Sequence, residues 1–159
     1  MDNLSAVTRF LGERNIPFRI FRHPGPITSL EQAARERGQT SSQVIRSLLF
    51  RLPGNEFVMV LMSGPEQVSW KKLRRFLNQK RLTLANDDEV LSVTGSKRGA
   101  VSPFGLPTSI QILVDQAILE LDEVSIGSGE RGTTIILRMP DLLKALGNIE
   151  IGDFQEDLT

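Results

Sequence analysis

Two apolar segments separated by only three residues constrain the fold of this chain more than any other part of its sequence. Residues 44–52 and 56–62 contain mostly leucine, valine, isoleucine, phenylalanine and methionine, and Pro53, Gly54 and Asn55 lie between them. Proline fixes φ, while glycine and asparagine tolerate positive φ, so these residue types favour tight turns. The pattern predicts two strands paired as a hairpin, which any fold for this chain must accommodate.

The remaining segments alternate between helical and strand-like patterns. Apolar periodicity and capping residues predict helices over residues 4–14, 28–37, 69–79, 86–94 and 140–146. The second of these begins with Thr28-Ser29-Leu30-Glu31, which has the spacing of a capping box. Short apolar runs predict strands over residues 16–22, 82–85, 110–114, 124–127 and 133–138, the last two forming a hairpin. Hairpin-connected strands interleaved with short helices indicate an α+β domain with a mixed, largely antiparallel sheet.

The length of the chain is that of one domain. Single cores commonly contain about 100 to 200 residues, the chain has 159, and no linker, internal repeat or low-complexity stretch divides it. We therefore expect a single domain over residues 1–159, with residues 147–159 forming a loose tail.

The composition excludes several kinds of catalytic site. The chain has no cysteine, so disulfides, thiolate metal sites and a cysteine nucleophile are excluded. Its single histidine, His23, excludes a multi-histidine metal site and permits a Ser-His-Asp triad only with that residue as the base. We expect neither a metal nor a cofactor.

The sequence also predicts where the protein is found. No apolar run approaches the roughly 18 residues that span a bilayer. The first ten residues, MDNLSAVTRF, lack the basic and apolar regions of a signal peptide. We expect a soluble cytoplasmic protein with no membrane partner.

Charge is balanced over the whole chain but not along it. There are 19 basic and 19 acidic residues, and zero net charge disfavours strong non-specific binding to nucleic acid. Residues 71–98 nevertheless carry eight lysines or arginines against three acids, while the chain from residue 148 onward carries four acids and no base. Lys71, Lys72, Arg74 and Arg75 fall on the outer side of the predicted 69–79 helix. They are candidates for phosphate contacts, and a solvated helix face is an equally good interpretation.

A glycine-rich segment is the strongest candidate for a functional site. Residues 95–105 read GSKRGAVSPFG, in which glycines flank small residues and a proline. Such a backbone can approach a ligand closely and direct its N–H groups at an oxygen that becomes negative during acyl transfer. An ordinary surface loop is the alternative interpretation.

Together with the segments around it, this loop resembles a family of aminoacyl-tRNA editing domains, the YbaK and prolyl-tRNA-synthetase-associated family. The loop matches the family pattern G-x-x-x-G-[GA]-V-S-P-F-G. The other matching segments are Glu31-Gln32-Ala33-Ala34, Val44 to Phe50, Val60 to Gly64, Lys71-Lys72-Leu73 and Gly127 to Gly132. The resemblance covers about residues 5 to 146.

The resemblance implies both a fold and an activity. The fold would be a compact, mixed, barrel-like sheet with helices on its outside. A pocket between the Arg46 strand, the 95–105 loop and the late hairpin would receive the 3′-terminal adenosine and its ester-linked amino acid. The domain would hydrolyse mischarged aminoacyl-tRNA in trans, with tRNA as its partner and an aminoacyl-tRNA synthetase as a further one. Backbone donors, a lysine and the substrate's own groups would do the chemistry, without a dedicated side-chain base.

The resemblance also assigns roles to residues of this chain. Catalytic residues would be Arg46, Gly99 and Ser102. Substrate-binding residues would be His23, Gly64, Gly95, Ala100, Val101, Pro103, Phe104, Gly129 and Arg131. Residues contacting tRNA would be Lys71, Lys72, Arg74 and Arg75. For His23 and Arg131 there are also purely structural interpretations, a polar residue at a strand end and a solvated turn arginine.

Arg46 departs from the family pattern, which has lysine there, and Ala100 takes the place of a second glycine at the [GA] position of the loop. Arginine keeps the positive charge but presents a longer, planar fork that does not release its proton. Ala100 is a mild change unless that position requires positive φ.

Two functional hypotheses follow. One is a free-standing aminoacyl-tRNA deacylase, favoured by the intact loop. The other is a non-catalytic module that binds tRNA, a nucleotide or a synthetase, favoured by Arg46.

Overall fold

The structure, a computed structural model, describes residues 3–157. Within that range it has five α-helices: α1 (Asn3–Glu13), α2 (Leu30–Glu36), α3 (Trp70–Leu77), α4 (Asp87–Thr94) and α5 (Met139–Leu146). It has eight strands: β1 (Arg19–Arg22), β2 (Ile45–Leu52), β3 (Glu56–Ser63), β4 (Thr83–Leu84), β5 (Gln111–Asp115), β6 (Glu123–Gly127), β7 (Thr133–Arg138) and β8 (Glu150–Gly152). No helix in this range is long and apolar enough to span a membrane.

The strands form two sheets. One has three strands in the order β1-β7-β6, and the other has five in the order β4-β2-β3-β5-β8. β5 runs parallel to both β3 and β8, and the other four pairs among residues 3–157 are antiparallel. A bridge between Val44 and Ser125 links the sheets. The predicted mixed, largely antiparallel α+β fold is confirmed. The described strands do not close into one hydrogen-bonded barrel, so the barrel-like arrangement stays a prediction.

The central hairpin forms as its sequence predicts. β2 and β3 pair antiparallel from Ile45 opposite Ser63 to Leu52 opposite Glu56. At the turn, Gly54 and Asn55 adopt φ values of 82° and 59°, the positive range that these residue types tolerate.

The five-stranded sheet is buried on both faces. Side chains alternate along a strand, so Ile45 and Leu49 of β2 enter a large core with residues of α1, α5 and the three-stranded sheet. Phe50 points to the opposite face and enters a second, smaller core that includes Leu73 of α3 and Phe154. Burial on both faces explains why the two segments of the hairpin are almost continuously apolar.

Helix ends differ from the predicted ones by a residue or two. The start of α2 is capped by Ser29, whose Oγ accepts from the N–H of Gln32 at 3.0 Å. The N–H of Thr28 donates to Oε1 of Gln32 at 2.6 Å, so the N-cap and its partner are Ser29 and Gln32, each one residue later than the predicted Thr28 and Glu31. α3 ends at Leu77 because Asn78 adopts the left-handed conformation.

The C-terminal residues pack against the domain, which corrects the expectation of a loose tail. Glu150–Gly152 forms β8 beside β5, and Phe154 is fully buried in the second core. The N–H of Phe154 donates to Oδ1 of Asp115 at 2.8 Å, and its carbonyl accepts from Ser69 at 2.7 Å. These partners lie far away in sequence, so no local pattern revealed them. Residues 158 and 159 lie outside the described range.

Candidate functional site

A pocket of about 310 Å³ lies where β2, the β6–β7 hairpin and the loop after α4 meet. We call it the central pocket. Its lining includes residues 45–49 of β2, Arg98, Gly99 and Val101 of the loop, and residues 126, 127, 130 and 132–134 of the hairpin. Arg37, at the end of α2, also lines it. This is the meeting of strand, loop and hairpin that the family resemblance implies.

Close backbone contact between the loop and the hairpin builds one wall of the pocket. The N–H of Gly129 donates to the carbonyl of Ala100 at 2.7 Å. A Cβ on Gly127 would lie 2.0 Å from the carbonyl oxygen of Val101, so only glycine permits this approach. Ala100 is buried and is not among the positive-φ residues of the described chain, so the alanine fits this position without strain.

Two loop residues that line the pocket have main-chain N–H groups without an acceptor among the described residues. Gly99 adopts a φ of 89°, and nothing lies within 4 Å of the place where its Cβ would be. The N–H groups of Gly99 and Val101 have no acceptor in the part of the chain that the structure describes. Both residues line the central pocket, so both N–H groups are candidates to stabilise a developing oxyanion.

Arg46 lines the central pocket, but its guanidinium group is already anchored. Nε donates to the carbonyl of Gly64 at 2.6 Å, and Nη2 donates to the carbonyl of Glu66. Burial lowers the pKa of Arg46, although an arginine remains protonated at any physiological pH. In the register, Arg46 lies opposite Met62, which belongs to the second core. Its side chain therefore leaves β2 on the face opposite Ile45 and holds the segment after β3.

The His23 side chain is buried and links Glu36, the last residue of α2, to Arg37, the residue after it, and His23 does not line the pocket. Its side chain has zero exposure, and Nδ1 lies 2.6 Å from Oε1 of Glu36. Arg37 donates from Nε to Nε2 of His23 at 3.0 Å and from Nη1 to Oγ of Ser125 at 2.8 Å. Because Nε2 accepts, we assign the proton of the neutral ring to Nδ1. The hydrogen bond from His23 is the main cause that lowers the pKa of Glu36.

Ser102 and several loop neighbours lie outside the central pocket. Ser102 is buried, and its Oγ accepts from the N–H of Phe104 at 3.1 Å. With Gly95 and Phe104 it lines a separate cavity of about 210 Å³ beside α1. Pro103 lines a larger groove of about 570 Å³ at the other end of the loop.

The remaining predicted substrate residues lie behind or beside the pocket. Gly64 is buried with a φ of 59°, and a Cβ there would lie 3.0 Å from the carbonyl oxygen of Ser41. The N–H of Gly129 donates to the carbonyl of Ala100 in the loop. Arg131 is exposed and donates to the carbonyl of Arg98 at 3.3 Å. Of the predicted catalytic and substrate residues, Arg46, Gly99 and Val101 thus line the pocket, although the Arg46 guanidinium is bonded to the segment after β3.

Sequence reasoning missed several pocket residues. Arg37 appeared only as the end of a predicted helix, and Arg98 only as a member of the basic run and of the 95–105 loop, without a role of its own. Ser47 lines the pocket, and its Oγ is buried with no hydrogen-bond partner among the described residues. The alternation of β2 was the available signal for Ser47, because it shares a face with Ile45 and Leu49.

The four predicted tRNA contacts on α3 are not equivalent. Lys71 and Arg75 are exposed and Arg74 is half-buried. Lys72 donates from Nζ to Asp153, Gln155 and Asp157 of the C-terminal segment, at 2.7 to 3.0 Å. As for other ligands, residues 3–157 contain no group of three or more histidine, cysteine or acidic residues placed to hold a metal.

Comparison with known proteins identifies the family. Residues 24–145 match the aminoacyl-tRNA editing domain. The chain belongs to this family. It is 31% identical over 114 residues to the uncharacterised protein YwhH of Bacillus subtilis, a match that covers 72% of each chain. It is 29% identical over 102 residues to a proline–tRNA ligase of Trichlorobacter lovleyi, covering 64% of this chain and 18% of the ligase.

A solved structure shows the same fold. A crystal structure described as that of a proposed trans-editing enzyme for prolyl tRNA synthetase superimposes with a TM-score of 0.89 at 24% identity, covering 98% of each chain. At this identity the similarity establishes the fold alone. The family assignment therefore rests on the sequence match, and it confirms the resemblance found in the loop and its neighbouring segments.

Proposed function

We propose that this protein hydrolyses the ester bond of mischarged aminoacyl-tRNA, acting in trans on tRNA released by a synthetase. The central pocket carries the proposal, since the three segments that meet there, β2, the 95–105 loop and the β6–β7 hairpin, are among those that carry the family resemblance. Its volume of about 310 Å³ is near the lower end of the range for small-molecule sites. Such a pocket suits a terminal nucleoside with a small amino acid.

The proposed chemistry relies on the backbone of the loop. A water molecule attacks the ester carbonyl, the carbonyl oxygen becomes negative, and the N–H groups of Gly99 and Val101 donate to it. One such donor typically changes a rate by a factor of about 100 to 1000. The C–O bond to the ribose then breaks, and the ribose oxygen leaves with a proton from the attacking water. The neighbouring ribose hydroxyl, part of the substrate itself, orients that water.

Editing of this kind has a physical rationale. A synthetase pocket distinguishes amino acids that differ by one methylene by only about 1 to 3 kcal/mol. A second, smaller pocket that hydrolyses the wrong product restores accuracy. The chain spans about a fifth of the length of the proline–tRNA ligases that it matches. Our proposal therefore includes action in trans, partnership with a synthetase and a cytoplasmic location.

A deacylation panel tests the proposal directly. tRNAs charged with alanine, cysteine, serine and proline are incubated with the protein, and loss of the ester is followed over time. We expect faster hydrolysis of at least one of them than of the others. Binding of tRNA without deacylation of any of the four would favour the non-catalytic module instead.

Arg46 variants separate an electrostatic role from an anchoring role. Arg46→Lys restores the family residue with the same charge, and Arg46→Ala removes both the charge and the anchors at Gly64 and Glu66. If the charge acts on the ester, Arg46→Ala abolishes deacylation while Arg46→Lys retains or raises it. If the pocket depends on the longer fork, both variants lose activity. Unchanged rates in both variants would exclude a catalytic role for Arg46.

A further inference from the structure

Three arginines line the central pocket, and their guanidinium groups have different partners. That of Arg46 donates to two main-chain carbonyls, and that of Arg98 donates to a carboxylate and a carbonyl. Arg37 donates only to neutral side-chain groups, the imidazole of His23 and the hydroxyl of Ser125. Arg37 is therefore the pocket arginine whose charge has no directly bonded carboxylate or carbonyl.

Arg37 has hydrogen-bonding capacity left for a ligand. Its Nη2 has no acceptor among residues 3–157, whereas Nε and Nη1 are both bonded. The residue is half-buried, and burial lowers the pKa of Arg37, which reflects the cost of keeping a charge away from water. Glu130 is the acidic residue that lines the same pocket, and within the described chain it makes no hydrogen bond to Arg37. A partly desolvated guanidinium of this kind favours an anionic oxygen ligand.

The orientation of Arg37 is fixed from behind. The His23 side chain is fully buried and lies between Glu36 and Arg37, with Nδ1 on the carboxylate and Nε2 on the guanidinium. Glu36 is fixed in turn by Gln32, which donates to Oε2 at 2.8 Å. The Glu36 carboxylate therefore orients the imidazole of His23, and the imidazole lies between that carboxylate and the Arg37 guanidinium. This arrangement holds Arg37 in place without neutralising it directly.

We propose that Arg37 binds a phosphate oxygen of the substrate, the phosphodiester that precedes the terminal adenosine, and that His23 is its positioning residue. The inference rests on the proposed function, because that function supplies the nucleotide. A guanidinium fork matches phosphate oxygens in geometry and charge. The contact would set how deeply the adenosine and its amino acid enter the pocket.

A pair of substrate analogues tests the phosphate contact. Each is a 3′-aminoacylamino-3′-deoxyadenosine, whose amide resists hydrolysis, carrying whichever of the four amino acids the protein removes fastest. One has a 5′-phosphate and the other a 5′-hydroxyl. In the parent protein we expect the phosphate to tighten binding by about 10-fold or more, as for a hydrogen bond to a charged group. In Arg37→Gln the two analogues should bind with nearly equal affinity.

Two further variants distinguish this role from a structural one. Arg35→Gln removes the same charge from the same helix at an exposed position and should keep the full phosphate increment. His23→Phe keeps a ring beside Phe21 but removes both nitrogens, so it should lose most of the increment. Thermal unfolding identifies any variant that does not fold. If His23→Phe does not fold, Arg37→Gln alone decides whether Arg37 binds the phosphate.

Each alternative result has a separate meaning. The proposal is overturned if Arg37→Gln keeps the increment, or if both analogues bind the parent equally. If neither analogue binds the parent, the proposed function fails, and this inference with it. If AMP alone binds as tightly as the phosphorylated analogue in an Arg37-dependent way, Arg37 recognises phosphate but the assignment to tRNA is overturned.

Discussion

Among single residues, Gly99 combines two properties that a side chain would disturb. Its φ of 89° lies in the region that residues with a Cβ rarely adopt, and its N–H faces no acceptor within residues 3–157. A Cβ itself would meet no atom within 4 Å. The cost of a side chain at this position therefore comes from the backbone, which would shift to relieve strain and redirect the N–H groups of the loop.

We predict that Gly99→Ala strongly lowers the rate of deacylation while lowering the free energy of unfolding only slightly. Strain should lower the free energy of unfolding by about 1–2 kcal/mol, while displacement of the donors should lower kcat/KM by about 10- to 100-fold. Gly54→Ala is the matched control, because Gly54 has a φ of 82° and open space but lies in the β2–β3 turn. Equal losses of activity in both variants would show that the loop donors have no special role.

Residue-level prediction from sequence succeeded where the backbone itself carries the property. A glycine-rich loop indicates that the backbone can approach a ligand closely, and Gly99 and Val101 do line the pocket. Prediction failed where a side chain contacts a residue far away in the sequence. His23 pairs with Glu36 and Arg37, and the Arg46 guanidinium turns to the segment after β3. No spacing rule reveals such contacts, because they depend on which strands become neighbours.

At the scale of elements, α3 makes contacts on two sides: its inner side packs in a core, and its outer side binds the C-terminal segment. The sequence of α3 does not distinguish the two. Its inner residue Leu73 is fully buried in the second core. On its outer side, Lys72 binds the acidic C-terminal segment, so the basic run of α3 and the acids after residue 148 partly neutralise each other. Lys71 and Arg75 remain exposed and are the better candidates for phosphate contacts.

We predict that a Lys71→Ala, Arg74→Ala, Arg75→Ala triple variant binds tRNA more weakly and with a flatter dependence on salt. Each lost phosphate contact reduces the slope of log K against log salt by about 0.7 to 0.9. Lys72→Ala is the comparison, since its ammonium is bound within the chain, and it should leave the slope nearly unchanged. Affinity and salt slope measured by fluorescence anisotropy check both statements. A triple variant with the parent slope would mean that α3 is merely a solvated face.

The contact between α3 and the C-terminal segment should depend on pH. Hydrogen bonds with Asp157 and Asp153 raise the pKa of Lys72, and Lys72 lowers the pKa of Asp157. The contribution of Asp157 is present above its unfolded pKa of about 3.9 and is lost as pH falls through its lower folded pKa. That of Lys72 is present below its unfolded pKa and is lost as pH rises through its higher folded pKa.

NMR titration of the Asp157 side chain checks this prediction. Its resonances should stay constant between these limits and shift below about pH 4 as Asp157 becomes protonated. Lys72→Met removes the partner, so the same resonances should titrate at a higher pH, near that of an ordinary carboxyl group. Identical titration curves in the parent and in Lys72→Met would contradict a bond between them in solution.

For the whole molecule, the sequence predicted the class of fold but not the assembly of its sheets. Alternation and turn residues indicated the β2–β3 and β6–β7 hairpins, whose partners are adjacent in the chain. β5 pairs parallel with β3, across α3, β4 and α4, and β8 joins the far side of β5. Such pairings depend on long-range packing and leave little local signal. For the same reason the sequence predicts a loose tail over residues 147–159, whereas Phe154 completes the second core.

The two hydrophobic cores should be independent in their effect on the pocket. Phe154 is fully buried beside Leu73 and packs edge-on against Phe76 at 5.1 Å, whereas Ile45, Leu49 and Ile126 of the pocket belong to the first core. Phe154→Ala should lower the free energy of unfolding by about 3–5 kcal/mol and yet leave kcat/KM of the folded protein unchanged.

Urea unfolding measures the loss of stability, and deacylation well below the unfolding transition measures activity. Leu91→Ala is the control, since Leu91 on α4 is 48% exposed and its truncation should change stability by no more than about 0.5 kcal/mol. A loss of activity in Phe154→Ala, under conditions where it is folded, would show that the second core shapes the pocket through β2 and β3. An unchanged rate would show that the five-stranded sheet insulates the pocket from its other face.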